Sequence, residues 1–334
     1  MSHLQMLAIG DVVTDAFIKL LSAEAEIEHD AKKHPLLCMT YGTKIPYEEE
    51  IEVSGVGNAA NAAVAASKLG LRVAFMSDVG SDDVGNKIIR SLHEHKVSSE
   101  FINIHKGLAS NYHYVLWYPP DRTILIKHET YPYKWPEIRN YQKPEWIYLS
   151  SIAENGAPIH SGLAKYLENN QDVKFAFQPG TFQIREGHNK LTSLYKNCDI
   201  FAANKEEFAQ ILNINSTNEK ELIAKMHKLG PKIVLLTDGP KGAYASDGNK
   251  IVFMPPYPDP KPPLDRTGAG DAYASTFTTA VAEGHSLEEA LAWAGINSMS
   301  VVQKVGAQAG LLKLSGLKKY LAKAPLNYKA RDVK

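Results

Sequence analysis

Short apolar runs of β character alternate with stretches of helical period along most of this chain, and that alternation restricts the fold more than any other feature. Residues 4–9, 72–76, 146–149, 173–177, 200–203 and 232–237 read as core strands, because they are short and nearly continuous in apolar residues. Residues 58–69, 83–95, 159–169, 206–212 and 218–229 carry helical spacing between them. That order predicts an α/β fold with a mainly parallel sheet covered by helices on both faces. Ser286 with Glu289 gives a capping-box start for a further helix, and Ser216 with Glu219 repeats the signal. The proline-rich segment 255–263 reads as a stiff surface connection.

Two segments break the rhythm, residues 14–54 and 110–129, where strands follow one another without helices. Residues 111–118 and 123–128 flank Pro119-Pro120-Asp121-Arg122 as a hairpin. Tyr112, Tyr114, Leu116 and Tyr118 fall on one face of it, Val115 and Trp117 on the other, so both faces need covering. A small projecting sheet that acts as a lid and a homodimer contact meets that need.

With 334 residues, 44% of them hydrophobic, the chain can bury one large core, and it is expected to form a single domain over 1–334. Lys plus Arg and Asp plus Glu number 37 each, which gives no electrostatic footprint for nucleic acid or an anionic membrane. No apolar run approaches membrane-spanning length, and the first residues lack the basic start and cleavage site of a signal peptide. Cys38 and Cys198 have no metal-like spacing, so reduced thiols in a cytoplasmic protein are expected.

The chemistry concentrates in Asp265-Arg266-Thr267-Gly268-Ala269-Gly270-Asp271. Its glycines let the backbone approach a ligand, and the small and apolar residues that follow continue as a helix. A helix start offers unpaired N–H groups and partial positive charge, which suit a phosphate. Asp271 would repel a resting phosphate, yet it is well placed to accept the proton of a hydroxyl attacking one. A second signal is Gly55-Val56-Gly57-Asn58-Ala59-Ala60-Asn61, where small residues leave room for a polyol and the asparagines both donate and accept hydrogen bonds. Asp11 and Asp15 leave the first strand at its carboxyl end, the usual ligand side of an open α/β sheet, with Asp15 the preferred hydroxyl acceptor.

These motifs resemble the ribokinase-like (PfkB) carbohydrate kinase family, with the carboxyl-terminal signature at residues 265–277 and the amino-terminal one at Gly57, Asn61, Ala63, Gly70 and Gly80. The resemblance implies a three-layer αβα sandwich with a β lid from about residues 14–54 and 110–129. It also implies an ATP-dependent kinase that phosphorylates a hydroxymethyl group of a small sugar. Asp271 would then be the base and Gly268, Ala269 and Gly270 the anion hole, while Asp15, Gly57 and Asn61 hold the acceptor. Asn204 and Glu207 match the family element that organises Mg2+ and its waters; Thr237, Gly239 and Gly242 are implied to border ATP, and Asn297 to wall the adenine. Asp265 and Thr267 are candidates for a monovalent cation such as K+. Arg266, where the family more often has a small residue, adds a cation beside the phosphates.

The acceptor stays open at this level. A nucleoside base would stack on Tyr112, Tyr114, Trp117 or Tyr118, whereas a phosphorylated sugar would call on cations such as Lys44, Arg122 or Lys127. A non-catalytic sensor is a remote alternative, and such drift should erode Asp271, Gly268 or Gly270, all of which are present.

Overall fold

The computed structural model describes residues 3–119 and 121–333. The chain enters through β1 (Met6–Ile9) and then forms β2 (Val13–Leu20), β3 (Ala25–His29), β4 (Pro35–Met39) and β5 (Tyr47–Val56). It continues with α1 (Asn58–Leu69), β6 (Val73–Gly80), α2 (Asp83–Glu94) and β7 (Val97–His105), then the hairpin strands β8 (Tyr112–Tyr118) and β9 (Asp121–Leu125). Next come β10 (Trp146–Leu149), α3 (Ala157–Asn169), β11 (Lys174–Phe177), the short α4 (Thr181–Glu186) and α5 (Thr192–Lys196), and β12 (Ile200–Asn204). α6 (Lys205–Leu212), α7 (Glu219–His227) and β13 (Ile233–Thr237) follow, then the antiparallel β14 (Ala243–Ser246) and β15 (Ile251–Met254). α8 (Ala269–Ala282), α9 (Leu287–Val301), α10 (Leu314–Ala322) and β16 (Arg331–Asp332) end the described chain.

Ten strands form the central sheet in the order β16-β15-β14-β13-β12-β11-β10-β1-β6-β7. Pairing is parallel from β7 through β13 and antiparallel from β14 to β16. Side-chain alternation sends Met6 and Ala8 of β1 into the core built with α1, α2, α8 and α9, and Leu7 and Ile9 into the core built with α3, α6 and α7. Both faces are therefore covered, which is why these strands read as unbroken apolar runs. The result is the expected three-layer sandwich. Among the described residues no helix is long and apolar enough to cross a membrane.

A second sheet, in the order β5-β2-β8-β9, comes from the two segments without helices, and β3 pairs with β4 as a separate hairpin. Val115 and Trp117 pack with Phe17 in a small core bordered by Ile51, Val53 and Val305, while Tyr114 on the opposite face of β8 is exposed. The second hairpin strand starts at Asp121 opposite Tyr118, two residues before the expected position, and ends at Leu125. Of the expected turn, Pro120 lies outside the described residues.

Helix starts follow their side chains. Ser286 and Glu289 cap each other reciprocally at the start of α9. The second expected capping box is corrected: Asn218 caps α7 by accepting from the Glu221 N–H at 3.0 Å, and the Ser216 hydroxyl instead donates to the Glu221 carboxylate. An asparagine one residue before the helix wins over a serine two residues further upstream, because only the residue at the helix boundary can reach the free N–H groups.

Candidate active site

The carboxyl ends of the parallel strands open into one cavity of about 770 Å³, within the usual range for a small-molecule site. Asp11 follows β1, Ser151 follows β10, Gln178 follows β11, Asn204 ends β12 and Thr237 ends β13; all line it. The amino ends of two helices complete the wall, through Gly57, Asn58 and Asn61 at α1 and Thr267, Gly268, Gly270 and Asp271 at α8. The second sheet contributes Asp15, His113, Arg122 and Ile124.

Gly268 caps α8 with a left-handed φ of 75° and no side-chain hydrogen bond. Among the described residues the backbone N–H groups of Gly270 and Asp271 make no backbone hydrogen bond, so the start of this 14-residue helix presents free donors to the cavity. Gly57 is also needed as glycine, with φ 116° and the Asp11 carbonyl 2.8 Å from where a Cβ would stand.

Asp271 is buried and its carboxylate accepts three amide donors. Asn61 Nδ2 donates to Oδ2 at 2.8 Å; Asn58 Nδ2 and Gln178 Nε2 donate to Oδ1 at 3.1 and 3.0 Å. Two of these amides are held the right way round. The Tyr148 hydroxyl donates to Gln178 Oε1, and Gln308 Nε2 donates to Asn61 Oδ1 at 3.0 Å, so each amide turns its NH2 toward Asp271. Burial pushes the Asp271 carboxyl above the ordinary aspartate range, with the three amides pulling against it. If Asp271 must be ionised to accept a proton, the rate falls as pH drops through this raised pKa. A kcat–pH profile should therefore show an acid limb above the range of an unperturbed aspartate. A flat profile down to that range would count against a role for Asp271 as base.

Asp11 is buried with both oxygens engaged, one by the Tyr133 hydroxyl at 2.6 Å and one by the Ala153 N–H at 2.8 Å. Among the described residues Asp15 accepts no hydrogen bond from a side chain and has His113 3.4 Å away, so it keeps more capacity for a ligand hydroxyl. Asn204 and Glu207 cap α6 reciprocally: Asn204 Oδ1 accepts the Glu207 N–H, and Glu207 Oε2 accepts the Asn204 N–H, both at 2.9 Å. Burial raises the Glu207 carboxyl, and the charge of Asp271 raises it further. Among the described residues Glu207 Oε1 has no protein donor, which leaves a hard oxygen for a hydrated cation.

The structure does not bring every expected residue to the cavity. Asn297 is buried between helices, its Nδ2 donating to Thr276 Oγ1 and its Oδ1 accepting the Leu312 N–H, so it ties helices together and does not line the cavity. Gly239 and Gly242 lie in the turn beyond Thr237, outside the lining, and so does Ala269, whose carbonyl accepts the Ser298 hydroxyl. Asp265 is buried behind the loop, where Oδ1 accepts from Thr267 N and Oγ1 and Oδ2 accepts from Gly306 N. Among the described residues Oδ1 thus accepts two donors and Oδ2 one. Tyr112, Tyr114, Trp117 and Tyr118 do not line the cavity either; Trp117 is consumed by the small lid core.

Sequence reasoning missed Gln178, Ser151, His128 and Arg185. Gln178 had a signal, since it follows the expected strand 173–177 just as Asp11 follows the first strand. Gln308 had none.

The family model for the pfkB family carbohydrate kinases matches residues 22–314. The chain belongs to that family. It is a phosphotransferase with an alcohol acceptor. The ribokinase of Bacillus subtilis is 27% identical over 262 residues, covering 76% of this chain and 83% of that protein. The ATP-dependent 6-phosphofructokinase of Thermoanaerobacterium thermosaccharolyticum is 24% identical, covering 78% and 83%. Among solved structures, Arabidopsis thaliana ribokinase complexed with ribose and ATP superposes with a TM-score of 0.78 at 21% identity, over 96% of this chain and 99% of that one. That likeness establishes the fold of this PfkB-family chain.

Proposed function

We propose that this chain transfers the γ-phosphoryl group of ATP to a primary hydroxyl of a small sugar. The observation that carries the reading is the placement of buried Asp271 at the free N–H groups of α8, in one cavity with Asp15 and Asn204. In-line attack forms a bond from the sugar oxygen to the γ-phosphorus and breaks the bond to the β,γ-bridging oxygen, releasing ADP. The hydroxyl proton passes to Asp271. The free N–H groups of Gly270 and Asp271 at the loop that Gly268 turns, with the neighbouring Arg266, stabilise the charge on the transferring group, whereas the Ala269 N–H is held by the Arg266 carbonyl. Asp15, Gly57, Asn58 and Asn61 face the acceptor, with Asp11 holding the floor beneath it. Thr237 and Asn204 border the nucleotide phosphates. Asn204 and Glu207 would hold magnesium through water, and the bound ion shields phosphate charge.

The relatives' names, ribokinase and ATP-dependent 6-phosphofructokinase, support a sugar acceptor and an ATP donor. The nucleoside alternative loses its main sequence argument, because the aromatic lid side chains are not at the cavity. The exposed Tyr114 and Leu125 of the second sheet support a homodimer through the lid, which sedimentation analysis would test against a monomer. ADP release from ATP and magnesium is expected with at least one sugar in a panel of pentoses, hexoses, sugar acids and phosphosugars. No release above the acceptor-free rate with any of them would overturn the reading.

A further inference from the structure

We infer that the acceptor carries an anionic group, a phosphomonoester or a carboxylate, gripped by Arg122 of the second sheet and Arg185 of α4, which line the same cavity. The inference rests on the sugar-kinase reading and specifies the acceptor class. Arg122 stands opposite Trp117 in the β8–β9 pair, on the inward face that also carries His113 and Val115. Its Nε is buried and, among the described residues, has no hydrogen-bond partner. Arg185 reaches the same cavity with its guanidinium 5.7 Å from the ring of Phe182. Among the described residues neither arginine makes an ion pair.

A guanidinium cannot shed its charge by deprotonation, so a buried donor without a partner remains a cost until something accepts from it. A phosphate or carboxylate presents two or more oxygens to that planar fork and forms the stronger, charge-assisted hydrogen bonds. A neutral sugar leaves the buried Arg122 Nε without an acceptor, while the exposed Arg185 adds a second positive charge at the cavity.

The arginines belong to the acceptor end of the cavity. Arg122 shares the inward strand face of His113, and a chain of rings links Arg185 to the same end: His113 lies 3.4 Å from Asp15, its ring is 5.3 Å from that of His128, and His128 is 5.5 Å from Phe182, with the Arg185 guanidinium 5.7 Å from the Phe182 ring. The nucleotide-side groups Asn204 and Thr237 end strands β12 and β13 instead. Among the described residues the acceptor-side carboxylates form no ion pair with the arginines: Asp11 accepts from Tyr133 and Ala153 and lies 3.4 Å from His128, and Asp15 lies 3.4 Å from His113. The other cations expected from the sequence are elsewhere: Lys44 is exposed and off the lining, and Lys127 pairs with Glu129.

The test uses the full chain and two matched pairs, fructose with fructose 6-phosphate and glucose with gluconate, read both by turnover and by calorimetric binding without nucleotide. One charged member should exceed its neutral partner in kcat/KM and in affinity by at least about tenfold, the worth of a hydrogen bond to a charged group. Which charged probe responds separates phosphate from carboxylate. Arg122→Gln and Arg185→Gln should each raise the KM of that probe at least about tenfold while the KM for ATP stays within about twofold. Equal binding of charged and neutral members, binding of neither charged probe, or a rise in the KM for ATP would each overturn the inference. Charged probes bound through the arginines without ADP release would keep the anionic subsite and sink the kinase reading. Turnover of the neutral sugars alone would do the reverse.

Discussion

Asp271→Asn is expected to lower kcat by about 100- to 10,000-fold, the range for removing a positioned general base. The substitution keeps side-chain size and place but removes the proton acceptor. It also sets an NH2 group against the donors of Asn58, Asn61 and Gln178, which converge on the carboxylate at 2.8 to 3.1 Å. Because that clash of donors perturbs the site locally, the measurement pairs steady-state kinetics on the preferred acceptor with a thermal melt. A folded variant with the KM for ATP retained and kcat collapsed is the expected result. Turnover within a few-fold of the parent would remove Asp271 from the chemistry, and the anion loop would then act by positioning and charge alone.

Gly268→Val should lower kcat by about 100- to 1,000-fold, comparable to losing a donor to the developing charge. At φ 75° the residue sits where a β-branched side chain is strained, and any Cβ would collide with Ala307, whose Cα lies 2.7 Å from that position. The loop must shift, and with it the N–H groups that start α8. Gly270→Ala is the internal control for folding. It has helical geometry, no heavy atom within 4 Å of its Cβ position beyond its chain neighbours and its own helix backbone, and should keep or raise the melting temperature. A Gly268→Val enzyme with unchanged kcat would show that the donors at this helix start do not meet the transferring group.

Much of this protein was legible before any coordinates. Strand residues 146–149 and helix residues 58–69 coincide with β10 and α1 because each pattern is local: unbroken apolar runs for a strand covered on both faces, and small residues at helical spacing ended by Gly70. The glycine-flanked start of α8 was legible for the same reason, since a backbone that needs positive φ announces itself with glycine. The turn after Thr237 shows the limit. Its glycines serve the turn itself, and Gly242 packs against Phe253, so neither reaches the cavity.

What the sequence by itself determined is the order of strands and helices, the two helix starts with their glycines, and the presence of a carboxylate just after the Gly268–Gly270 loop. Only the tertiary structure decided which side chains meet there. Asn58 and Gln178 reach Asp271 across 213 and 93 residues, and Gln308 orients Asn61 across 247. Likewise, only packing selected Arg122 and Arg185 over Lys44 and Lys127 for the cavity. The physical reason is one of range. Backbone preference and side-chain periodicity act over a few residues, whereas the meeting of side chains far apart in sequence depends on how separate elements register against one another across a shared core.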